Sequence, residues 1–178
     1  MLISIGVGVA LAIALIAVVS VVTGGKVTND KKNVLVSSAL VGRHVKSWSL
    51  EGLSGGTINA PWSTGHASVL VFFASFCGPC QGEMPKLAAY IRHHSTSPVD
   101  VVAMDSDDKR AAALSMIKKD DVTFPVAFDP NGTVITGTFG FQEVPESVFL
   151  SARGVVKGVY FGAIPDKELK AGLKLLKS

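Results

Sequence analysis

The stretch that most constrains this chain is Val69-Leu-Val-Phe-Phe-Ala-Ser-Phe-Cys77-Gly-Pro-Cys80-Gln-Gly-Glu83-Met-Pro85-Lys-Leu87, an apolar run that empties into a Cys-x-x-Cys pair. Val69 to Phe73 is β-branched and aromatic, which suits a buried strand. Cys80, Met84, Leu87, Ala88 and Ile91 recur at helical spacing and predict an amphipathic helix. The cysteines fall at the junction. Unpaired N–H groups and the macrodipole at a helix N-terminus favour negative charge, so Cys77 is the expected nucleophile. Residues three apart on a first helical turn place their Cα atoms about 5–6 Å from each other, inside the range a disulfide needs. Cys80 can therefore close the bridge. Two other uses of the pair stand beside this one. A structural staple across two intervening residues closes almost no loop and contributes little. A zinc site needs further ligands, and the chain has only 2 cysteines, while the adjacent His93 and His94 point to different sides of a helix. Reversible disulfide chemistry without metal or cofactor is the favoured reading.

The hydrophobic fraction of 48% and mean hydropathy of +0.41 are high for a soluble domain, and the excess sits at the start of the chain. From Leu2 to Val22 there is no charged residue, a length that as a helix spans roughly the 30 Å hydrocarbon core of a bilayer. Residues 1–23 are expected to be a single-pass anchor, in contact with lipid over residues 2–22, in preference to a cleaved signal peptide. The run exceeds the usual h-region of about 7–15 residues, and no Ala-x-Ala precedes Gly24-Gly25. Lys26, Lys31 and Lys32 follow the run, so the positive-inside rule alone would place the remainder in the cytoplasm. A tethered thiol pair argues the reverse, because disulfides persist outside the cytoplasm. The chemistry takes precedence, and the expected location is the cell membrane with the catalytic domain outside the cytoplasm. Residues 24–40, rich in Gly, Lys, Asn, Asp and Ser, read as a flexible tether, leaving 41–178 for one domain. A net charge of +3, with no basic run interleaved with aromatics, argues against a nucleic-acid partner.

Along that domain, Val45 to Leu50 alternates like a half-buried strand, Gly55-Gly56 marks a turn, and a short segment ends near Trp62. Val99 to Met104 reads as a strand. Asp105-Ser-Asp-Asp108 leads into a helix through Lys119, with Asp107 or Asp108 as its cap in preference to a metal site. Val126 to Phe128 is a short strand, followed by the turn Asp129-Pro-Asn-Gly132 and a brief helical or irregular piece through Phe139. Ser147–Leu150 and Val155–Phe161 form a hairpin. The segment Asp166 to Lys177 places Leu169, Leu173 and Leu176 on one stripe and Lys167, Lys170, Lys174 and Lys177 on a solvated face. Strands alternating with helices, closed by a hairpin and a helix, predict an α/β fold with a mixed sheet covered on both sides.

Phe76-Cys77-Gly78-Pro79-Cys80, with Pro85 eight residues after the first cysteine, resembles the thioredoxin superfamily. The similarity extends to its membrane-anchored TlpA, ResA and DsbE type over residues 41 to 177. Shared features are the N-terminal anchor, a leading hairpin, Gln81-x-Glu83-x-Pro85, Phe124-Pro-Val-x-x-Asp129 and Val144-Pro145-Glu146 before the last hairpin. The resemblance implies a thioredoxin-like three-layer α/β/α sandwich with a mixed central sheet. It implies a cis bond before Pro145, which faces the cysteines, and a substrate-binding set of Phe76, Gly78, Pro79, Val144 and Pro145. Glu83 occupies the position of the family's own glutamate. It also lies one turn beyond Cys80, where spacing lets it exchange a proton with that thiol; a solvated first-turn acid is the alternative. Two positions depart from the pattern: Phe76 stands where most relatives carry Trp, and Val71 where a classical cytoplasmic thioredoxin has a buried Asp. The implied activity is an extracytoplasmic thiol–disulfide oxidoreductase that passes electrons from a membrane thiol reductant to protein disulfides, with apocytochrome c as a candidate substrate. Gly-Pro between the cysteines favours the reducing direction by comparison with thioredoxin. The alternatives are a disulfide-forming oxidase of the same fold and a tethered binding module with a structural or metal-binding Cys pair.

Overall fold

The computed structural model describes residues 38–94 and 98–177. The expected anchor and the tether up to residue 37 lie outside these. Among the described residues no helix is long and apolar enough to cross a membrane. The elements in order are β1 (Ser49–Glu51), β2 (Thr57–Asn59), a 3₁₀ turn (Pro61–Thr64), β3 (Ser68–Phe73), α1 (Gly78–His93), β4 (Asp100–Ser106) and α2 (Arg110–Lys119). There follow β5 (Val126–Asp129), a π-type turn (Ile135–Phe139), β6 (Glu146–Leu150), β7 (Val156–Phe161) and α3 (Asp166–Leu175).

The apolar run of the sequence is β3, buried at all 6 of its residues. A strand covered on both faces reads as a continuous apolar run, where a half-exposed one would alternate. It lies at the centre of a five-stranded sheet of order β5-β4-β3-β6-β7. The β3–β4 and β4–β5 pairs are parallel, and the β3–β6 and β6–β7 pairs antiparallel, so the sheet is mixed as expected.

The two βαβ crossovers run in the same direction across the sheet, and the right-handed rule then puts α1 and α2 on one face. Cys80, Met84, Leu87 and Ala88 of α1, Ala113, Met116 and Ile117 of α2, and Leu169 of α3 share one core with Val69, Val71 and Phe73. The other face buries Leu70, Phe72, Val102 and Met104 against Leu40, Val45, Trp62, Val134 and Phe139. The expected α/β/α sandwich is corrected here: both faces are covered, but the α-helices lie on one of them. The second covering layer consists of the leading segment, the 3₁₀ turn and the π-type turn. On the return from β5 to β6 the chain crosses that second face, and Pro130, Gly132, Gly137 and Gly140 disfavour a full α-helix there.

The strand expected over Val45–Leu50 is confined to Ser49–Glu51, which pairs with Thr57–Asn59. Val45 instead donates its N–H to the Gly154 carbonyl at 2.8 Å, and the Val156 N–H bonds the Arg43 carbonyl at 3.0 Å. These bonds tie the leading segment to the start of β7. On α3, Gly172 lets the helix rest on the ring of Phe149, since a Cβ there would stand 2.2 Å from the ring Cζ.

Candidate active site

β3 ends at Phe73, and three residues later the chain turns into α1. Cys77 is the N-cap, its Sγ lying 3.2 Å from the Cys80 backbone nitrogen, which donates to it. Pro79 occupies the first turn, where its missing N–H leaves no intrahelical bond unmade. Cys77 and Cys80 are joined as a disulfide, S–S 2.06 Å, with Cα atoms 5.2 Å apart, inside the distance expected from their spacing. Cys77 retains 8% exposure and Cys80 none, so the first sulfur is the one a partner can reach. Phe76, Gly78 and Pro79 are exposed around it, Phe76 to 68%.

The opposite wall comes from the loop before β6. The Val144 carbonyl oxygen lies 3.5 Å from Cys77 Sγ, and the Val144–Pro145 bond is cis, as the resemblance implies. The fold therefore brings together Phe76, Cys77, Gly78, Pro79, Cys80, Val144 and Pro145. Val71, the position that departs from classical thioredoxin, is a fully buried part of the apolar core beneath α1.

Glu83 is no solvated first-turn acid. It is 4% exposed, its Oε1 accepts the Ile164 N–H at 2.7 Å, and its Oε2 has no hydrogen-bond partner. Burial pushes its pKa up to about 7, with the Ile164 hydrogen bond opposing. A carboxyl tuned to neutrality on the helix that carries both cysteines is suited to taking up and releasing a thiol proton.

Three further acids escaped the reading of the sequence. Asp105, which looked like the start of a capping run, is the sixth residue of β4, fully buried, with no donor to either oxygen. Burial raises it to about 8, reinforced by the charge of Asp108 and a hydrogen bond with it, while Arg110 acts the other way. Asp108 does not cap α2 either: the N-cap is Lys109. Asp108 turns back to accept the Ser75 N–H on Oδ2 and accepts the Lys109 N–H on Oδ1 at 2.6 Å. Glu146, directly after the cis proline, is 6% exposed, and burial, helped by the charge of Glu143, raises it to about 8. The one sequence signal for Asp105 was its place at the C-terminal end of a parallel strand, the edge at which open α/β sheets carry their sites. At the other end of α1, His94 stacks on Tyr90 with ring centroids 4.1 Å apart. Among the described residues no group of three or more His, Cys, Asp or Glu is placed to hold a metal ion.

Disulfide exchange needs one reachable sulfur, a shielded second sulfur to resolve the mixed disulfide, and a route for the proton. A reachable and a shielded sulfur joined at the head of α1 on this mixed sheet define a thioredoxin-like thiol–disulfide oxidoreductase. The chain belongs to the Redoxin family, whose model matches residues 40–173, and within it the chain is of the ResA/DsbE-like kind. It is 27% identical over 134 residues to the thiol-disulfide oxidoreductase ResA of Bacillus anthracis, covering 75% of this chain and 77% of the relative. It is 26% identical over 152 residues to the thioredoxin-like protein YneN of Bacillus subtilis, covering 83% and 85%. Among solved structures, a putative thiol:disulfide interchange protein DsbE from Chlorobium tepidum superposes with a TM-score of 0.65 at 27% identity, over 75% of this chain and 97% of that one.

Proposed function

We propose that the protein is held in the cell membrane by residues 2–22 and reduces disulfides of other proteins outside the cytoplasm, drawing electrons from a membrane thiol reductant. Direction rests on one observation: the ionisable groups gathered around the motif are carboxyls. Glu83 sits on α1, Asp108 holds Ser75, and Glu146 follows Pro145. Among the described residues neither cysteine has a basic hydrogen-bond partner. Strong oxidants owe their potential to a very acidic nucleophile that stabilises the reduced form. The charge of Asp108 and the lack of a basic partner oppose that, so the dithiol is a willing electron donor. The location rests on the uncharged N-terminal run and on the chemistry of the pair, against the lysines that follow it.

In the reducing cycle the Cys77 thiolate attacks one sulfur of the substrate disulfide, that bond breaks, and the departing sulfur takes a proton. Cys80, deprotonated by Glu83 directly or through water, attacks Cys77 and releases the second substrate thiol. Two electrons have then passed to the substrate, and two electrons and two protons from the membrane reductant restore the dithiol. Apocytochrome c, with its paired cysteines, is the substrate proposed.

Equilibration against a glutathione or dithiothreitol series tests the direction. A potential on the order of −230 to −280 mV is expected, and one near about −120 mV would overturn it in favour of a disulfide-forming oxidase. In cells, Cys80→Ala should trap substrate as a mixed disulfide on Cys77; absence of apocytochrome c from the trapped set would remove that assignment. Digestion of the domain by external protease checks the topology, and protection in sealed cells would place it in the cytoplasm.

A further inference from the structure

Asp105 is fully buried and no donor reaches either of its carboxyl oxygens, a condition that a lone carboxylate does not sustain. Its register shows where it faces. It sits opposite Phe73 in the parallel β3–β4 pair, so its side chain shares the face that carries Phe73, Cys77 and Cys80. Within hydrogen-bond reach of its carboxyl is Asp108, whose carboxylate receives the N–H groups of Lys109 and of Ser75, two residues ahead of Cys77. The two acids are shifted in opposite directions. Burial works to raise Asp108, but hydrogen bonds from Ser75, Lys109 and Asp105 outweigh it and hold the group low. Asp105 is raised by burial and by Asp108. A carboxylic acid donating its proton to a carboxylate produces this split.

We propose that Asp105 and Asp108 form a proton-sharing pair that positions the Ser75–Cys77 loop and couples the reactivity of Cys77 to alkaline pH. The proposal rests on the thiol–disulfide chemistry and is independent of its direction and location. The groups facing the pair leave it this role. From α2, Arg110 opposes the rise of Asp105, but its guanidinium is engaged by Glu51 at 2.7 Å and by the Leu53 carbonyl at 2.7 Å and lies over the Phe128 ring. From α1 the same core receives Cys80, Met84 and Leu87, while Glu83 turns to Ile164. The strands on either side place Phe73 and Phe128 opposite Asp105. While Asp105 keeps its proton, the single charge of Asp108 is shared among three donors and the loop is fixed. When hydroxide removes that proton as water, two carboxylates face each other behind the Cys77 loop. Formation of a further negative charge on the thiol is then opposed.

The test is the pH dependence of Cys77 alkylation by iodoacetamide in the reduced full-length protein. In the wild type the rise in rate as the thiol ionises should be checked by a further, upper step near the value of about 8 set for Asp105. Asp105→Asn keeps an N–H donor for Asp108 but has no proton to lose. It should lack that step, matching wild type at about pH 6.5 and running about two- to threefold faster at about pH 8.5, while Glu83 and Glu146, common to both proteins, contribute alike. Asp108→Asn removes the neighbouring charge and should move the upper step to lower pH. An Asp105→Asn curve superimposable on wild type throughout overturns the proposal. Should the variants not fold, the ¹³C carboxyl shift of Asp105 in the wild type decides: a midpoint near about 8 supports the pair, and one below about 5 overturns it.

Discussion

Glu83→Gln isolates the energetic cost of one buried acid. The amide oxygen can still accept the Ile164 N–H, so the local fold is kept while the ionisable group is removed. In the folded protein the acid titrates at about 7, against an ordinary value of 4.5. Between those values the native state holds a proton that the unfolded chain has lost. Stability from this group is therefore fully present below about pH 4.5, falls as pH rises, and levels off above about 7. At about 1.4 kcal/mol per tenfold change the whole loss is about 3 kcal/mol, of which about 2–3 kcal/mol falls between pH 5 and 8. Urea unfolding of the oxidised proteins, in which the cysteines do not titrate, measures it. Asp105 and Glu146 contribute alike to both proteins and cancel in the difference. The variant should gain about 2–3 kcal/mol on wild type in going from pH 5 to pH 8. Stability curves that stay parallel within about 0.5 kcal/mol would refute the reasoning, since a solvated carboxyl has no such term. The same variant should exchange disulfides more slowly, by about a hundredfold if Glu83 is the proton acceptor for Cys80. An unchanged rate across pH 6 to 9 would leave it a structural acid.

Gly172→Ala drives a methyl group into the Phe149 ring, and overpacking of about 1–3 kcal/mol should outweigh the helix preference of about 1 kcal/mol for alanine. The urea midpoint should fall with the exchange rate unaltered; a stabilised variant would show that α3 shifts freely over the sheet. Phe76 and Phe161 are the large apolar side chains left exposed among the described residues, at 68% and 58%. Phe161 lies beside the facing loop, since the Gly162 N–H bonds the Pro145 carbonyl at 2.8 Å. Serine at both positions should raise KM for a protein disulfide by about tenfold or more while leaving reduction of a small aromatic disulfide unchanged. Equal losses with both substrates would assign the two rings to structure and not to docking.

Much of the framework was legible because it is written at short range. The continuous apolar run of β3, the helical spacing from Cys80 to Ile91, the hairpin that closes at Gly154 and the leucine stripe of α3 are patterns within a few turns of chain, and each formed where its period placed it. The disulfide was legible for the same reason, since three residues on one helical turn set its span before any tertiary contact is made. What the sequence could not show depends on groups far apart along the chain. Val45 has strand alternation, yet its N–H is taken by Gly154, and only the docked leading segment decides that. The covering of the second sheet face followed from the handedness of the crossovers, which commits α1 and α2 to the other side. Above all, the state of each acid was settled by burial and by the hydrogen bonds it makes in the folded chain. Glu83 meets its hydrogen-bond donor 81 residues on, and Asp108 finds Ser75 across a separation of 33. Periodicity names the residue types and their faces; whether a carboxyl there is solvated, shared or left without a partner is decided when distant strands close over it and take away the water.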